Sequence, residues 1–206
     1  MLAALDMIGI FVFALSGASL AVRKRLDVVG AVSLALATGL AGGILRDLFL
    51  GDTPPVAFRD QWYLLVPIAA ATLTIVVPQL PRLLQRPVII FDAAGLALFA
   101  VVGASKAVDA GVGIIAATVI GAIAATGGGV LRDVLVSEVP TIFTPASGLY
   151  VIPAAAGSLA VAGAAEAGIE FAAVGLPVAL TVFIVRLLSV RHGWSTPRLN
   201  GDDVHR

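Results

Sequence analysis

The sequence contains no cysteine, which excludes disulfide bonds, thiolate nucleophiles and thiolate metal ligands together. It has only two histidines, His192 and His205, and both lie close to the C-terminus. Charged residues make up 13% of the chain, about half the share of a typical soluble domain, and the formal net charge is zero. Because no long basic run is available to neutralise phosphates, the sequence predicts no nucleic-acid partner.

Apolar residues dominate what remains, at 59% of the chain with a mean hydropathy of +1.04. A water-soluble domain of this size cannot bury so much apolar surface. Seven apolar runs, separated by charges, prolines and turn residues, are close to the length that a bilayer requires. The sequence therefore predicts an all-α integral membrane protein with seven transmembrane helices, at residues 2–22, 28–50, 62–80, 88–107, 111–136, 147–165 and 171–188.

The two halves of the chain repeat each other at a constant offset of 86 residues. The residues that recur include Asp6, Gly42, Gly43, Arg46 and Asp47, which return as Asp92, Gly128, Gly129, Arg132 and Asp133. Since each half holds three spans, the second half must cross the membrane in the opposite direction, as inverted repeats do. We expect one repeat at residues 1–84, the inverted repeat at 85–168, a seventh helix at 169–190 and a disordered cytoplasmic tail at 191–206.

The distribution of basic residues predicts the orientation. They follow the first, third and seventh spans, as Arg23, Lys24, Arg25, Arg82, Arg86, Arg191, Arg198 and Arg206. The loops on the opposite side carry Arg59 and the acidic Glu166 and Glu170. By the positive-inside rule the N-terminus lies outside and the C-terminus is cytoplasmic.

Clusters of glycine interrupt the second and fifth apolar runs. They are Gly42 and Gly43 in one run and Gly127, Gly128 and Gly129 in the other. Consecutive glycines weaken a helix and permit a kink, and carbonyls freed in this way are tolerated only against protein or a wet cavity. The alternative is that these glycines only permit close helix packing. Their recurrence before Arg-Asp favours kinks beside a pore.

Each glycine cluster is followed by adjacent opposite charges, Arg46 with Asp47 and Arg132 with Asp133. A charge near the centre of a bilayer costs at least ~2.5 kcal/mol, so these side chains need partners or water. Neighbours on a helix project about 100° apart, so we expect reciprocal pairs instead, Arg46 with Asp133 and Arg132 with Asp47. The alternative is that all four reach water at a vestibule.

Other polar residues in the spans have two interpretations each. Asp6 and Asp92 either cap the first helix of each half or form a mouth that concentrates cations. Lys106, whose counterpart in the first half is Leu20, either extends towards the interface or acts as a charged gate. Five hydroxyl side chains either line a pathway or donate to carbonyls of their own helix, namely Ser16, Ser19, Thr38, Ser105 and Thr126.

The motifs Gly-Gly-Ile-Leu-Arg-Asp at 42–47 and Gly-Gly-Val-Leu-Arg-Asp at 128–133, in a three-plus-three-plus-one arrangement, resemble the prokaryotic trimeric intracellular cation channels. The likeness covers about residues 2 to 190. It implies a homotrimer in the plasma membrane with one hourglass pore in each protomer. The resemblance also implies that the second and fifth helices kink at their glycines, that these glycines line the pore, and that monovalent cations, chiefly potassium, pass through it.

Sequences of this kind are also described as putative glycine transporters, so a secondary transporter for a small amino acid such as glycine stays open. Such a carrier would need a closed site with helix N-termini facing a carboxylate. We expect no enzymatic activity, because the spans contain neither histidine nor cysteine nor metal-ligand spacing. The expected partners are further copies of the chain, membrane lipids and permeant K⁺ or Na⁺, with no cofactor.

Overall fold

The computed structural model describes residues 1–77, 87–144 and 148–196, and within these ranges it contains helices, turns and loops but no β-strand. The helices are α1 (Leu2–Arg23), α2 (Val28–Phe49), α3 (Val56–Arg59), α4 (Gln61–Val76), α5 (Pro87–Asp109), α6 (Ile114–Leu135), α7 (Val151–Glu166) and α8 (Phe171–His192), with a 3₁₀ turn at Thr141–Phe143. The predicted disorder of residues 197–206 and the basic residues Arg82 and Arg86 lie outside the described ranges.

Five of these helices, α1, α2, α5, α6 and α8, are at least 22 residues long and apolar enough to cross a membrane. The shorter α4 and α7 have 16 residues each and are also apolar. At 1.5 Å per residue they are about 24 Å long, less than the ~30 Å of a hydrocarbon core. Every predicted apolar run overlaps one of these seven helices, but only five have the length of a full span.

The boundary of the last helix differs from the prediction. α8 continues through Arg191 and His192, which we had placed in the tail, and it ends where Gly193 adopts a left-handed conformation with φ 67°. Glycine takes this conformation without steric cost and commonly follows the end of a helix. The helix therefore continues for about one turn beyond the end of the predicted apolar run.

The helices of the two halves pack in equivalent pairs. In the first half α1 contacts α2 and α4, and in the second half α5 contacts α6 and α7. The halves meet through α1 against α5 and through α2 against α6. The rings of Phe13 and Phe99, which are equivalent in the two halves, lie between α1 and α5 with centroids 5.5 Å apart, and each is 1% exposed.

The contact between α2 and α6 is reciprocal, and we call it the glycine crossing. A Cβ atom added to Gly42 would collide with the carbonyl of Ala124, and one added to Gly128 would collide with the carbonyl of Thr38. Residue 42 thus meets 124 while residue 38 meets 128, so the two helices run antiparallel. Only glycine permits backbones to approach this closely in a membrane protein.

Both helices are continuous α-helices across their glycines. The glycines therefore do not interrupt their helices or free backbone carbonyls, whereas a kink beside a pore stays a prediction. At Gly42 and Gly128 the missing side chain permits close packing, which is the alternative interpretation, and the role of all five glycines beside a pore stays a prediction. Because the backbone N–H and C=O groups around these glycines stay paired within their own helix, none of them needs another partner in the apolar interior.

Candidate functional site

A buried group of charges lies where the C-terminal part of α2 meets the start of α1. Arg46 donates from Nη1 to Asp6 Oδ1 at 3.0 Å and from Nε to Asp47 Oδ1 at 2.9 Å. Tyr63, from α4, donates its hydroxyl to Asp6 Oδ2 at 3.3 Å. Arg46 and Asp6 are each 1% exposed. We call these four residues the first charge cluster.

The second half builds the same arrangement. Arg132 donates from Nη1 to Asp92 Oδ1 at 2.6 Å and from Nε to Asp133 Oδ1 at 2.8 Å. Tyr150, the residue before α7, donates its hydroxyl to Asp92 Oδ1 at 3.2 Å. These four residues form the second charge cluster. In both clusters a buried arginine is held between two carboxylates, which is the condition under which a charge is tolerated away from water.

Each cluster also receives one polar side chain from the other half of the molecule. Lys106 donates to Asp6 Oδ2 at 2.7 Å and remains 24% exposed. Ser16 accepts from Arg132 Nη1 at 2.7 Å and is fully buried. The repeat counterparts of these two residues are Leu20 and Val102, which are apolar. The two clusters are therefore alike in their core and different in what surrounds them.

The second carboxylate of each cluster holds the loop that follows its helix. Asp47 Oδ2 accepts from the backbone N–H of Val56, the first residue of α3, at 3.0 Å. Asp133 Oδ2 accepts from the backbone N–H and the hydroxyl of Thr141, the first residue of the 3₁₀ turn, at 2.9 and 2.8 Å. Since the other oxygen of each aspartate binds the arginine, the aspartates connect the buried charge to the loops at the two ends.

A small cavity of about 10 Å³ adjoins the first charge cluster, with Gly39 and Gly43 in its wall. That volume is roughly what one water molecule needs. A Cβ added to Gly43 would lie 3.6 Å from the ring of Phe99, in ordinary contact. At the equivalent Gly129, the hydroxyl of Tyr150 already occupies the position of such an atom. The second cluster therefore has no free space at the point where a small cavity adjoins the first.

Comparison with known proteins gives the family. A family model described as glycine transporter matches residues 3–79 and again residues 89–166. The UPF0126 membrane protein of Deinococcus radiodurans is 41% identical over 157 residues, which are 76% of this chain and 73% of that protein. The UPF0126 inner membrane protein YadS of Escherichia coli K12 is 40% identical over 139 residues, or 67% of each chain.

A solved structure extends this likeness to the fold. It is the TRIC trimeric intracellular cation channel orthologue from Rhodobacter sphaeroides, with a TM-score of 0.86 at 33% identity over 93% of this chain and 98% of that one. This chain belongs to the TRIC-like family of membrane proteins. The resemblance inferred from the two Gly-Gly-x-Leu-Arg-Asp motifs is confirmed. The TRIC-like chain is accordingly a multi-pass membrane protein.

The charge pairs of the TRIC-like chain differ from those we expected. Arg46 does not reach Asp133, nor Arg132 Asp47, because the two helices are antiparallel and their Arg-Asp ends point away from each other. Each arginine lies about six residues, or roughly 9 Å along the helix, from the middle of the glycine crossing. The adjacent residues do pair, since a long arginine side chain can fold back onto its neighbour.

Of the two interpretations of Asp6 and Asp92, capping is wrong, and a mouth that concentrates cations stays a prediction. α1 begins at Leu2, so Asp6 lies in its second turn and binds Arg46, Tyr63 and Lys106 rather than backbone N–H groups. Asp92 likewise follows the start of α5 by five residues and binds Arg132. Lys106, which we expected to extend towards the interface, forms a salt bridge inside the protein, and its role as a gate stays a prediction.

The hydroxyl side chains divide into two groups. Thr38 donates to the Leu34 carbonyl at 2.6 Å and Thr126 to the Ala122 carbonyl at 2.9 Å, so donation within the helix is confirmed for both. Ser16 instead donates to the Val88 carbonyl on α5 at 3.2 Å. Ser19 is fully buried, and its hydroxyl makes no hydrogen bond within the described part of the chain. Ser105 is 6% exposed.

Sequence reasoning missed three residues at these clusters. Tyr63 and Tyr150 are the chain's only tyrosines, but their separation of 87 residues is one more than the repeat offset, so the pairwise match was lost. Arg186 is the one basic residue inside the predicted seventh span, and intramembrane charges are themselves a signal of function. Its guanidinium carbon lies 4.7 Å from the centroid of the Tyr150 ring.

The described residues offer little for metal binding, since no three histidine or acidic side chains among them converge on one point. The carboxylates of the two clusters are directed at arginine, lysine and tyrosine donors. The arrangement can therefore stabilise buried charges in an apolar surrounding by pairing each of them.

Proposed function

We propose that the TRIC-like chain forms a channel for monovalent cations, chiefly potassium, with one pore in each protomer of a homotrimer. The observation that carries the proposal is the position of two buried charge clusters at opposite ends of the glycine crossing. Ionisable groups inside membrane proteins are costly and mark ion pathways. The similarity to a trimeric cation channel supports both the transported species and the trimer.

The proposed topology is two inverted three-helix repeats followed by a seventh span. The double match of one family model and the reciprocal contacts of the glycine crossing support it. The 16-residue α4 and α7 serve as the third and sixth spans, each preceded by a short segment that its aspartate holds. The positive-inside rule puts the N-terminus and the first charge cluster outside, and the second cluster at the cytoplasmic end.

The proposed membrane is the plasma membrane, which agrees with the description of the Escherichia coli relative as an inner membrane protein. The natural absence of cysteine makes the topology easy to test. Single cysteines introduced at the exposed Ala110 and Trp194 should react with an impermeant reagent from outside and from inside, respectively. Labelling of both from the same side would contradict the proposed orientation.

The proposed pore follows the glycine crossing, where Gly42, Gly43 and Gly127, Gly128 and Gly129 leave backbone rather than side chains between the two clusters. The crossing has no room for a methyl group at Gly42 or Gly128. Conduction along this line therefore requires α2 and α6 to move apart. Carbonyl oxygens of the separated helices would then replace part of the water around a cation.

Lys106 is the proposed gate at the outer end. Its ammonium group binds Asp6 Oδ2 while the side chain is 24% exposed, so it can exchange between the carboxylate and water. A positive charge held at this mouth opposes the entry of cations by Coulomb repulsion. Its displacement leaves Asp6 paired with Arg46 and lowers that barrier.

Reconstitution into planar bilayers with a potassium chloride gradient tests the channel. Wild-type protein should show discrete cation-selective openings. Gly128→Ala should alter or abolish them, because the added methyl meets the Thr38 carbonyl. Gly163→Ala is the matched control, since its methyl enters open space on α7. A silent wild type, or an equal effect of both variants, would contradict the proposed pore.

A glycine transporter is the second candidate, and the description of the matching family model favours it. Such a carrier would take up labelled glycine into liposomes and show no discrete currents. Parallel bilayer recordings and uptake assays on one preparation therefore separate the two functions. Native mass spectrometry of that preparation tests the trimer, for which the expected mass is that of three chains.

A further inference from the structure

The two charge clusters contain the same four residue types but obtain further positive charge from different places. Beside the first cluster, Lys106 comes from α5, in the other repeat. Beside the second cluster, Arg186 comes from α8, which follows both repeats. Each cluster contains two carboxylates and one arginine, which leaves one negative charge without compensation. Lys106 offsets this charge beside the first cluster, and Arg186 offsets it beside the second.

Arg186 is linked to the second cluster through Tyr150. Its guanidinium group stacks on the Tyr150 ring at 4.7 Å, and its Nη1 donates to the Leu149 carbonyl at 2.9 Å. The hydroxyl of the same tyrosine donates to Asp92 at 3.2 Å. A cation on the face of a tyrosine is attracted by the ring and more strongly so away from water. The tyrosine therefore connects the charge on α8 to the carboxylate on α5.

The two additional cations differ in how firmly they are held. Lys106 is 24% exposed and has a flexible side chain, whereas Arg186 is 2% exposed. A buried guanidinium cannot leave its partners without a large desolvation cost. The positive charge beside the first cluster can therefore be displaced into water at a lower cost than the one beside the second cluster.

We propose that Arg186 is a specificity-determining residue, which fixes a positive charge behind the second cluster and thereby limits how strongly that end of the pore attracts cations. This inference rests on the proposed channel function. It assigns to α8 an electrostatic role in permeation, in addition to packing against α5 and α7. Loss of the charge leaves the two carboxylates opposed by Arg132 alone and makes that end of the pathway more negative.

Reversal potentials in a potassium chloride gradient test the proposal. Arg186→Met should raise the cation-to-anion permeability ratio by roughly threefold or more, because a unit charge was removed from a poorly screened site. Arg186→Lys keeps the charge and should retain the wild-type ratio. Arg191→Met, at an exposed position on the same helix, is the matched control and should leave the ratio unchanged.

Arg186→Gln provides a second neutral variant, because its amide can still donate to the Leu149 carbonyl. It should shift the ratio in the same direction as Arg186→Met, whereas a purely structural role would predict the wild-type ratio in any variant that folds. A conducting wild type with an unchanged ratio in the neutral variants overturns this inference alone. A wild type that does not conduct overturns the proposed function and this inference with it.

Discussion

The first and second charge clusters have the same core, yet their surroundings differ. A cavity adjoins the first cluster at Gly43, whereas the Tyr150 hydroxyl fills the corresponding space at Gly129. The first cluster borders a partly exposed lysine, and the second borders a buried arginine from α8. The duplicated motif fixes the ion pairs, but the neighbouring helices decide what surrounds them.

The difference has a functional consequence under the proposed mechanism. Displacement of the partly exposed Lys106 would change the charge beside the first cluster, whereas the buried Arg186 beside the second cluster cannot leave without a large desolvation cost. A channel built from two equivalent halves would conduct equally from either side. The surroundings of the clusters break that equivalence, so substitutions at equivalent positions should have unequal effects.

The largest expected difference concerns the two central arginines. Arg132→Met removes the charged partner of Asp92 and should lower the free energy of unfolding by about 3–5 kcal/mol, as for other broken buried pairs. Arg46→Met should cost less, roughly 2–3 kcal/mol, because Asp6 keeps the salt bridge to Lys106. Reversible denaturation in mixed micelles measures both. An equal loss in the two variants would show that Lys106 does not compensate.

Substitutions at the equivalent Gly43 and Gly129 should also differ in their cost to stability, again with the larger loss in the second half. Gly129→Ala places a methyl group on the Tyr150 hydroxyl and near Asp92 Oδ1, and such overpacking typically costs ~1–3 kcal/mol. Gly43→Ala meets only ordinary contacts and should stay within about 1 kcal/mol of wild type, since alanine also favours the helix. The same denaturation assay compares them, and a greater loss for Gly43→Ala would contradict the open cavity.

The smallest effects are expected at the surface, where the two ends of the molecule should behave alike. Lys24 pairs with Glu138 at one end and Arg59 with Asp52 at the other, and all four side chains are between 39% and 46% exposed. Lys24→Ala and Arg59→Ala should each change the free energy of unfolding by about 0–1 kcal/mol, less in high salt. A loss comparable to that of a central arginine would indicate a buried contact.

Much of the fold could be predicted from the sequence because hydropathy and repetition are properties of the chain itself. The apolar runs predicted at residues 2–22 and 28–50 lie within one residue of α1 and α2. The offset of 86 residues matches the spacing between the starts of the two family-model matches. The least accurate boundary was the end of α8, because charged residues extend this helix beyond the end of the apolar run.

The pairing of the charges could not be predicted, for a geometric reason. Whether Arg46 meets Asp133 or Asp6 depends on where α2 crosses α6 and on the direction in which they cross. Both possibilities satisfy the requirement that a buried charge has a partner. The prediction chose the pair that linked the two motifs, whereas the antiparallel crossing separates them and brings each arginine to the first helix of its own half.

The sequence by itself determined that this chain belongs in a membrane, that its halves are equivalent and that two Arg-Asp pairs must be satisfied there. These conclusions follow from composition and spacing, which each segment carries regardless of its neighbours. Only the tertiary structure decided that the glycines pack rather than break their helices, that Asp6 and Asp92 complete the ion pairs, and that Arg186 borders one of them. Such contacts join residues about 40 to 100 positions apart, so they exist only after the helices have packed.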